Sequence, residues 1–206
     1  HGKFRRQRQM CIRDRHRPDS GTIQLEGHEV SFPNPIASQN AGIGVIYQEF
    51  NLIPSLNVRE NLFLGRDKAK FGWILEGDES KHAREIFDRI GIQLPLERAC
   101  SRLTVAQQQI VEIGKALALD AKVLVMDEPS AALTNQEVEH LFEIIVELKK
   151  QGIGIIYISH RLDEIEQIAD RITVLRDGEH VVTKPASEFD RQGIIEAMVG
   201  RSLDQD

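Results

Sequence analysis

Three short apolar runs in this chain end in residues able to bind a metal or move a proton. "GIGVIYQ" closes on Gln48, "KVLVMDE" on Asp127 and Glu128, and "IGIIYIS" on Ser159, directly before His160. An Asp at a strand end can hold Mg²⁺, a hard cation that takes oxygen ligands and keeps several waters. A neighbouring carboxylate can then take a proton from an attacking water as general base. Asp127 and Glu128 thus suit phosphoryl transfer. "DEP" equally suits a turn with Glu128 in solvent, and the surrounding residues must decide between the two.

The runs themselves are near-continuously apolar, as strands of a parallel sheet covered on both faces should be. In such a sheet ligands bind beyond the carboxyl ends of the strands, so Gln48, Asp127, Glu128, Ser159 and His160 are expected on one edge. Helices lie between the strands. In "TNQEVEHLFEIIVELKKQG", Thr134 and Glu137 have capping-box spacing, while Val138, Leu141, Phe142, Ile145 and Leu148 share one face. Lys149, Lys150 and Gly152 are its stop signals. A second helix is predicted over Val105 to Leu119, with Thr104 as N-cap and Ile110, Ile113 and Leu117 at helical spacing. From about residue 57 to residue 105 the pattern is helical (Ala83, Ile86, Phe87, Ile90) and reads as an insert between two core strands. The alternation predicts an α/β domain.

Composition narrows the class. A chain of 206 residues with 41% hydrophobic content can build one substantial core. A net charge of -6 provides no basic footprint for nucleic acid, so none is expected as a partner. Cys11 and Cys100 are the only cysteines, too few for a disulfide framework or a four-thiolate metal site, and they suit a reducing compartment. No run approaches the roughly 20 apolar residues that span a bilayer. Residues 1–17 stand apart: seven Lys and Arg against Asp14 give a local charge of +6, leaving -12 for the remainder. We expect this atypical basic segment to be foreign to a domain over residues 18–206; a basic arm for nucleic acid or anionic lipid is the alternative.

The order of the motifs carries a resemblance. "GVIYQEFNLIPSLNVRENLFLGR", "LTVAQQQ", "VLVMDE", "SAALT" and "ISHRLDEI" occur in the order and at the spacing of the nucleotide-binding cassette of ABC transporters, from about Pro18 to Arg201. In that family these are the Q-loop, the signature motif, the Walker B strand, the D-loop and the switch histidine. "QQQIVEIGKAL", "EPSAALTNQEV" and "MVGRSL" most resemble the first of two tandem cassettes in importers of simple sugars such as ribose, galactose or xylose.

The resemblance implies a P-loop NTPase-like α/β fold with a mostly parallel sheet and a helical subdomain over about residues 57–105. It implies ATP and Mg²⁺ as cofactors. Gln48 is then the Q-loop glutamine that meets Mg²⁺ or the attacking water, Asp127 the Mg²⁺ carboxylate, Glu128 the catalytic base and His160 the γ-phosphate contact. Thr104, Val105, Ala106 and Gln107 open a helix whose N-terminal N–H groups and dipole suit a phosphate, in the family that of ATP on the opposite cassette. Where the family's signature has Ser and two glycines, this chain has Thr104, Val105 and Ala106. The implied partners are a second cassette, transmembrane permease subunits and, indirectly, a periplasmic or extracellular sugar-binding protein, with the cassette on the cytoplasmic face of the membrane.

One expected motif is missing. A G-x-x-x-x-G-K-[ST] loop cradles phosphates through its backbone N–H groups and its Lys, and none occurs in this sequence. Gly2-Lys3 continues into Phe4, and Gly114-Lys115 falls inside a predicted helix. The strand before that loop and the family's adenine-stacking aromatic are also missing. The chain is therefore expected to bind nucleotide weakly, as a fragment of an ATPase. The rival readings are a degenerate docking module and a non-transport member of the superfamily.

Overall fold

The structure, a computed structural model, describes residues 20–65, 69–70, 73–74 and 76–200. The basic segment at residues 1–17 lies outside them. The chain divides into two units, Gln39–Ile158 and the described parts of His1–Ser38 with Ser159–Asp206.

In chain order the elements begin with β1 (Ile23–Leu25), β2 (His28–Val30), α1 (Pro35–Asn40) and β3 (Ile43–Ile46). Then come α2 (Val58–Phe63), β4 (Ala69–Lys70), β5 (Trp73–Ile74), α3 (Glu76–Arg89), a 3₁₀ turn (Cys100–Arg102) and α4 (Val105–Leu117). They continue with β6 (Val123–Asp127), α5 (Asn135–Lys150), β7 (Gly154–Ile158), α6 (Leu162–Ile168), β8 (Arg171–Arg176), β9 (Glu179–Pro185) and α7 (Arg191–Val199).

The larger unit is built on the three apolar runs. They form a parallel sheet in the order β3-β6-β7, with Ile46 opposite Met126 and Asp127 opposite Ile158. β3 and β6 are buried along most of their length, as the continuous apolar pattern predicts. β7 differs. Its Ile156 is 43% exposed, so among the described residues the expected cover on both faces is not found there.

Helices pack on this sheet through the faces that their spacing predicts. Val138, Leu141, Phe142, Ile145 and Leu148 of α5 are all buried, together with Ile144. The Phe142 ring meets Tyr157 of β7 edge-on, with 6.0 Å between centroids. α4 lies so close to β3 that a Cβ at Gly44 would stand 2.8 Å from the Ala116 Cβ and 2.8 Å from Leu124 Cδ2. Glycine is required there by packing. Against the other side of α4, a Cβ at Gly114 would meet the buried Phe87 ring of α3 at 2.9 Å. Ala83, Ile86, Phe87 and Ile90 form the buried face of that stretch.

The stretch from residue 57 to residue 105 carries α2, α3 and the short antiparallel pair β4 and β5. Its charged anchor is Arg59 of α2, buried, with Nη1 3.2 Å from Glu79 of α3 and Nε 3.2 Å from Glu97. Removing one member of a buried pair such as Arg59–Glu79 strands the other charge, which costs about 3–5 kcal/mol.

The smaller unit contains two antiparallel hairpins, β1-β2 and β8-β9. Two-residue turns close both: Glu26-Gly27 at φ 51° and 78°, and Asp177-Gly178 at φ 50° and 85°. Both central residues lie in the left-handed region, as a type I′ turn demands and glycine eases. Ile172, Val174 and Ile194 form the unit's buried cluster, with Leu162, Ile165 and Phe189 among the side chains packed against it. Among the described residues, no helix is long and apolar enough to cross a membrane.

Candidate functional site

β6 delivers the two carboxylates. Four residues with branched or long apolar side chains, Val123 to Met126, fix it as a core strand, and Asp127 is its last residue. Asp127 and Glu128 are both half-buried. The Glu128 N–H donates to the Ile158 carbonyl at 2.9 Å, which extends the ladder with β7 one step past the strand. Glu128 itself turns to φ 48°, a conformation that costs a non-glycine residue on the order of 1 kcal/mol. A left-handed residue breaks the strand's alternation, so Glu128 does not continue the line of side chains along β6. Its carbonyl then accepts from the Ala131 N–H at 3.1 Å, closing the turn that leads into Leu133 and Thr134.

β3 delivers Gln48, which is exposed two residues past Ile46, the strand's last residue. Because β3 and β6 are parallel neighbours with Ile46 opposite Met126, Gln48 and Asp127 leave the same edge of the sheet. Neighbouring strands lie about 4.8 Å apart, so the ends of β3 and β6 are adjacent on that edge. The donor set fits Mg²⁺: one carboxylate and one amide oxygen, with the remaining positions left to water and phosphate. Among the described residues no group of three or more His, Cys, Asp or Glu is placed to hold a metal ion.

The segment after Gln48 is tied down at several points. The Asn51 N–H donates to Glu112 Oε1 at 2.7 Å, and Lys115 Nζ donates to the Asn51 carbonyl at 2.7 Å. Two residues on, the Ile53 N–H donates to Asn61 Oδ1 at 2.8 Å, while Asn61 Nδ2 donates back to the Ile53 carbonyl at 3.1 Å. Asn61 Nδ2 also donates to Cys100 Sγ at 3.2 Å. Burial raises the Cys100 thiol pKa, outweighing the positive charge of Lys115 and the Asn61 hydrogen bond, which lower it.

At the start of α4, Thr104 is the N-cap. Its Oγ1 accepts from the Gln107 N–H at 3.2 Å, and Gln107 Oε1 accepts from the Thr104 N–H at 3.1 Å. This box occupies the Gln107 amide and side chain, so an anion at this end meets first the N–H groups of Val105 and Ala106, which have no partner within the helix by position. Thr104 and Val105 are exposed, and Ala106 and Gln107 are half-buried.

Ser159 and His160 belong to the smaller unit. Ser159 Oγ donates to Glu164 Oε2 at 2.8 Å and accepts from the Arg161 N–H at 3.0 Å, which ties the bend before α6 to a residue of its first turn. Arg161 Nη1 lies 2.8 Å from the buried Glu164. His160 is exposed at the bend before α6. The structure thus brings Gln48, Asp127 and Glu128 to one sheet edge, with the Thr104 helix in the same unit and His160 in the other.

The comparison with known families is decisive: residues 9–131 match the family described as "ABC transporter". This chain belongs to the ABC transporter family. Among curated relatives it is 48% identical over 187 residues to ribose import ATP-binding protein RbsA 3 of Rubrobacter xylanophilus, covering 91% of this chain and 38% of that protein. It is 47% identical over 189 residues to ribose import ATP-binding protein RbsA of Bacillus licheniformis, again covering 91% of this chain and 38% of the relative. The chain thus spans well under half the length of these relatives.

The fold agrees with that membership. The ABC transporter component cbiO1 of Clostridium perfringens superposes with a TM-score of 0.78 at 23% identity, covering 95% of this chain and 79% of that one. An ATP-binding cassette in its ADP conformation superposes with a TM-score of 0.75 at 24% identity, covering 92% of this chain and 81% of the other. The α/β cassette architecture read from the motifs is therefore present. Sequence reasoning missed Glu112, Lys115 and Asn61. The signal for the first two was a charged pair at i, i+3 within the buried run from Ile110 to Leu117.

Proposed function

We propose that this chain is part of an ATP-hydrolysing cassette that powers import of a simple sugar through a membrane permease. The observation that carries the reading is the Asp127–Glu128 pair at the carboxyl end of β6, beside the exit of β3. It stands in a chain 48% identical to a protein named for ribose import and ATP binding. In this reading Glu128 accepts the proton of the attacking water, a contribution of roughly 10²–10⁴-fold to rate. Asp127 and Gln48 hold Mg²⁺, which when bound neutralises charge on the β- and γ-phosphates. Glu128's backbone turn fits this role, because strained conformations persist where surrounding hydrogen bonds over-determine them.

His160 contacts the γ-phosphate in the same reading. Thr104, Val105, Ala106 and Gln107 present the start of α4 to ATP held by a second cassette, with Ala106 adding a methyl where backbone must come close to phosphate. The helical subdomain runs over about residues 57–105, within a partial nucleotide-binding domain over residues 18–206. The permease and, indirectly, an extracytoplasmic sugar-binding protein complete the assembly at the cytoplasmic face of the membrane.

Uptake of labelled ribose tests the reading in cells whose importer carries this cassette in its full-length polypeptide. Uptake should be lost with Asp127→Asn at unchanged protein level. Uptake that persists at the wild-type rate in the variant contradicts it.

A further inference from the structure

A buried carboxylate grips the chain on both sides of His160. Glu164 is 3% exposed, and its Oε2 accepts from the Ser159 hydroxyl at 2.8 Å. Its Oε1 lies 2.8 Å from Nη1 of Arg161, whose own backbone N–H donates back to Ser159 Oγ at 3.0 Å. Hydrogen bonds to a charged group are about twice as strong as neutral ones. The helix that carries Glu164 is itself anchored. Leu162 and Ile165 of α6 pack on the cluster of Ile172, Val174 and Ile194, and Arg191 Nη1 of α7 lies 2.7 Å from Asp163 and 3.0 Å from Glu166.

A peptide chain has two soft dihedrals per residue, so holding Ser159 and Arg161 leaves His160 little freedom beyond its own side-chain torsions. We propose that Glu164 is a positioning residue: through Ser159 and Arg161 it fixes the bend before α6, and with it the direction in which His160 is presented. The inference rests on the γ-phosphate role proposed for His160. Glu164, being buried, acts on that contact only through the bend. A misplacement of about 1 Å can cost about 100-fold in rate, so a tie at this position bears directly on turnover.

Two readouts test it, with Glu164→Ala and the milder Ser159→Ala. In this chain the NMR order parameter of the His160 amide should fall from the rigid value of about 0.85 toward about 0.6 in both variants, while that of Val174, in the unit's buried cluster, stays unchanged. In the full-length polypeptide assembled with its permease, kcat for ATP should fall about tenfold or more with Glu164→Ala. Added to His160→Ala, the same substitution should lower kcat by less than about twofold, because groups that act through one another are not additive. The proposal is overturned by an unchanged His160 order parameter in both variants, by a fall that Val174 shares, or by an equal loss of kcat in the two backgrounds. A wild-type His160 amide already near about 0.6 overturns it too. Failure of the reading it rests on looks different: His160→Ala then turns over ATP at the wild-type rate, while the order parameters still decide whether Glu164 holds the bend.

Discussion

The Glu128 N–H reaches the Ile158 carbonyl at 2.9 Å while Glu128 itself is left-handed at φ 48°. The ladder between β6 and β7 thus holds in place a residue that its own backbone preference opposes. A glutamate kept in this conformation, directly after a strand-terminal aspartate, is stabilised at a local cost that a glycine would not bear.

Glu128→Gly should therefore make the fold more stable, by about 1 kcal/mol, because glycine tolerates positive φ. Glu128→Gln keeps the backbone penalty and should leave stability within about 0.5 kcal/mol. Urea midpoints of the two variants separate the effects. A Glu128→Gly protein less stable than wild type would show that the turn is not strained.

The N-terminus of α5 should respond to acid. Glu137 is held below its ordinary pKa, first by the Thr134 backbone N–H and then by the Thr134 hydroxyl. A lowered carboxylate stabilises the fold at pH values above its unfolded pKa of about 4.3 and loses that contribution as pH falls through the folded value. The stability gap between wild type and Glu137→Gln should accordingly shrink on acidification below about pH 4. Thr134→Ala should cost about 1 kcal/mol at neutral pH. Denaturant titrations at several pH values measure both.

Cys100 should be inert in the native state. Burial raises its thiol pKa, so the fold favours the protonated form; that contribution is complete below the ordinary thiol pKa of about 8.5 and is lost as pH rises through the folded value. Alkylation by iodoacetamide, followed at the Cys100 peptide by mass spectrometry, should run on the order of tenfold or more slower in native than in urea-unfolded protein at the same pH. Equal rates would contradict the burial.

Much of this was legible in the sequence because the deciding signals are local. Continuous apolar runs located β3, β6 and β7, and the Thr134–Glu137 and Thr104 patterns located the starts of α5 and α4, both with complete capping boxes. Asp127 and Glu128 stood out as charges at the end of such a run. The Glu128 φ was not legible, since no residue pattern marks a glutamate as left-handed. The tie at Asn51 was hidden by distance: its partner Glu112 lies 61 residues away. Neither could composition show that Ile156 of β7 is exposed, because an apolar run reads alike whether or not both faces of its strand are covered. The hairpins at Glu26-Gly27 and Asp177-Gly178 were overlooked, although acidic-Gly pairs between short strands are a known turn signal.

This 206-residue chain contains no G-x-x-x-x-G-K-[ST] sequence, and the N–H groups and Lys of that loop supply most phosphate contacts in nucleotide sites of this kind. By itself it should therefore bind Mg-ATP only weakly. A fluorescent-nucleotide titration should show no saturation below about 1 mM. Saturable binding in the micromolar range would mean that other residues provide the phosphate site.

The central claim is that the carboxylate at the end of β6 drives ATP hydrolysis. Phosphate release by the full-length polypeptide carrying this cassette, assembled with its permease, tests it most directly when wild type is compared with Glu128→Gln. The account predicts a fall of about 10²-fold or more with nucleotide still bound. Release at the wild-type rate would contradict it and leave Glu128 a residue of the turn alone.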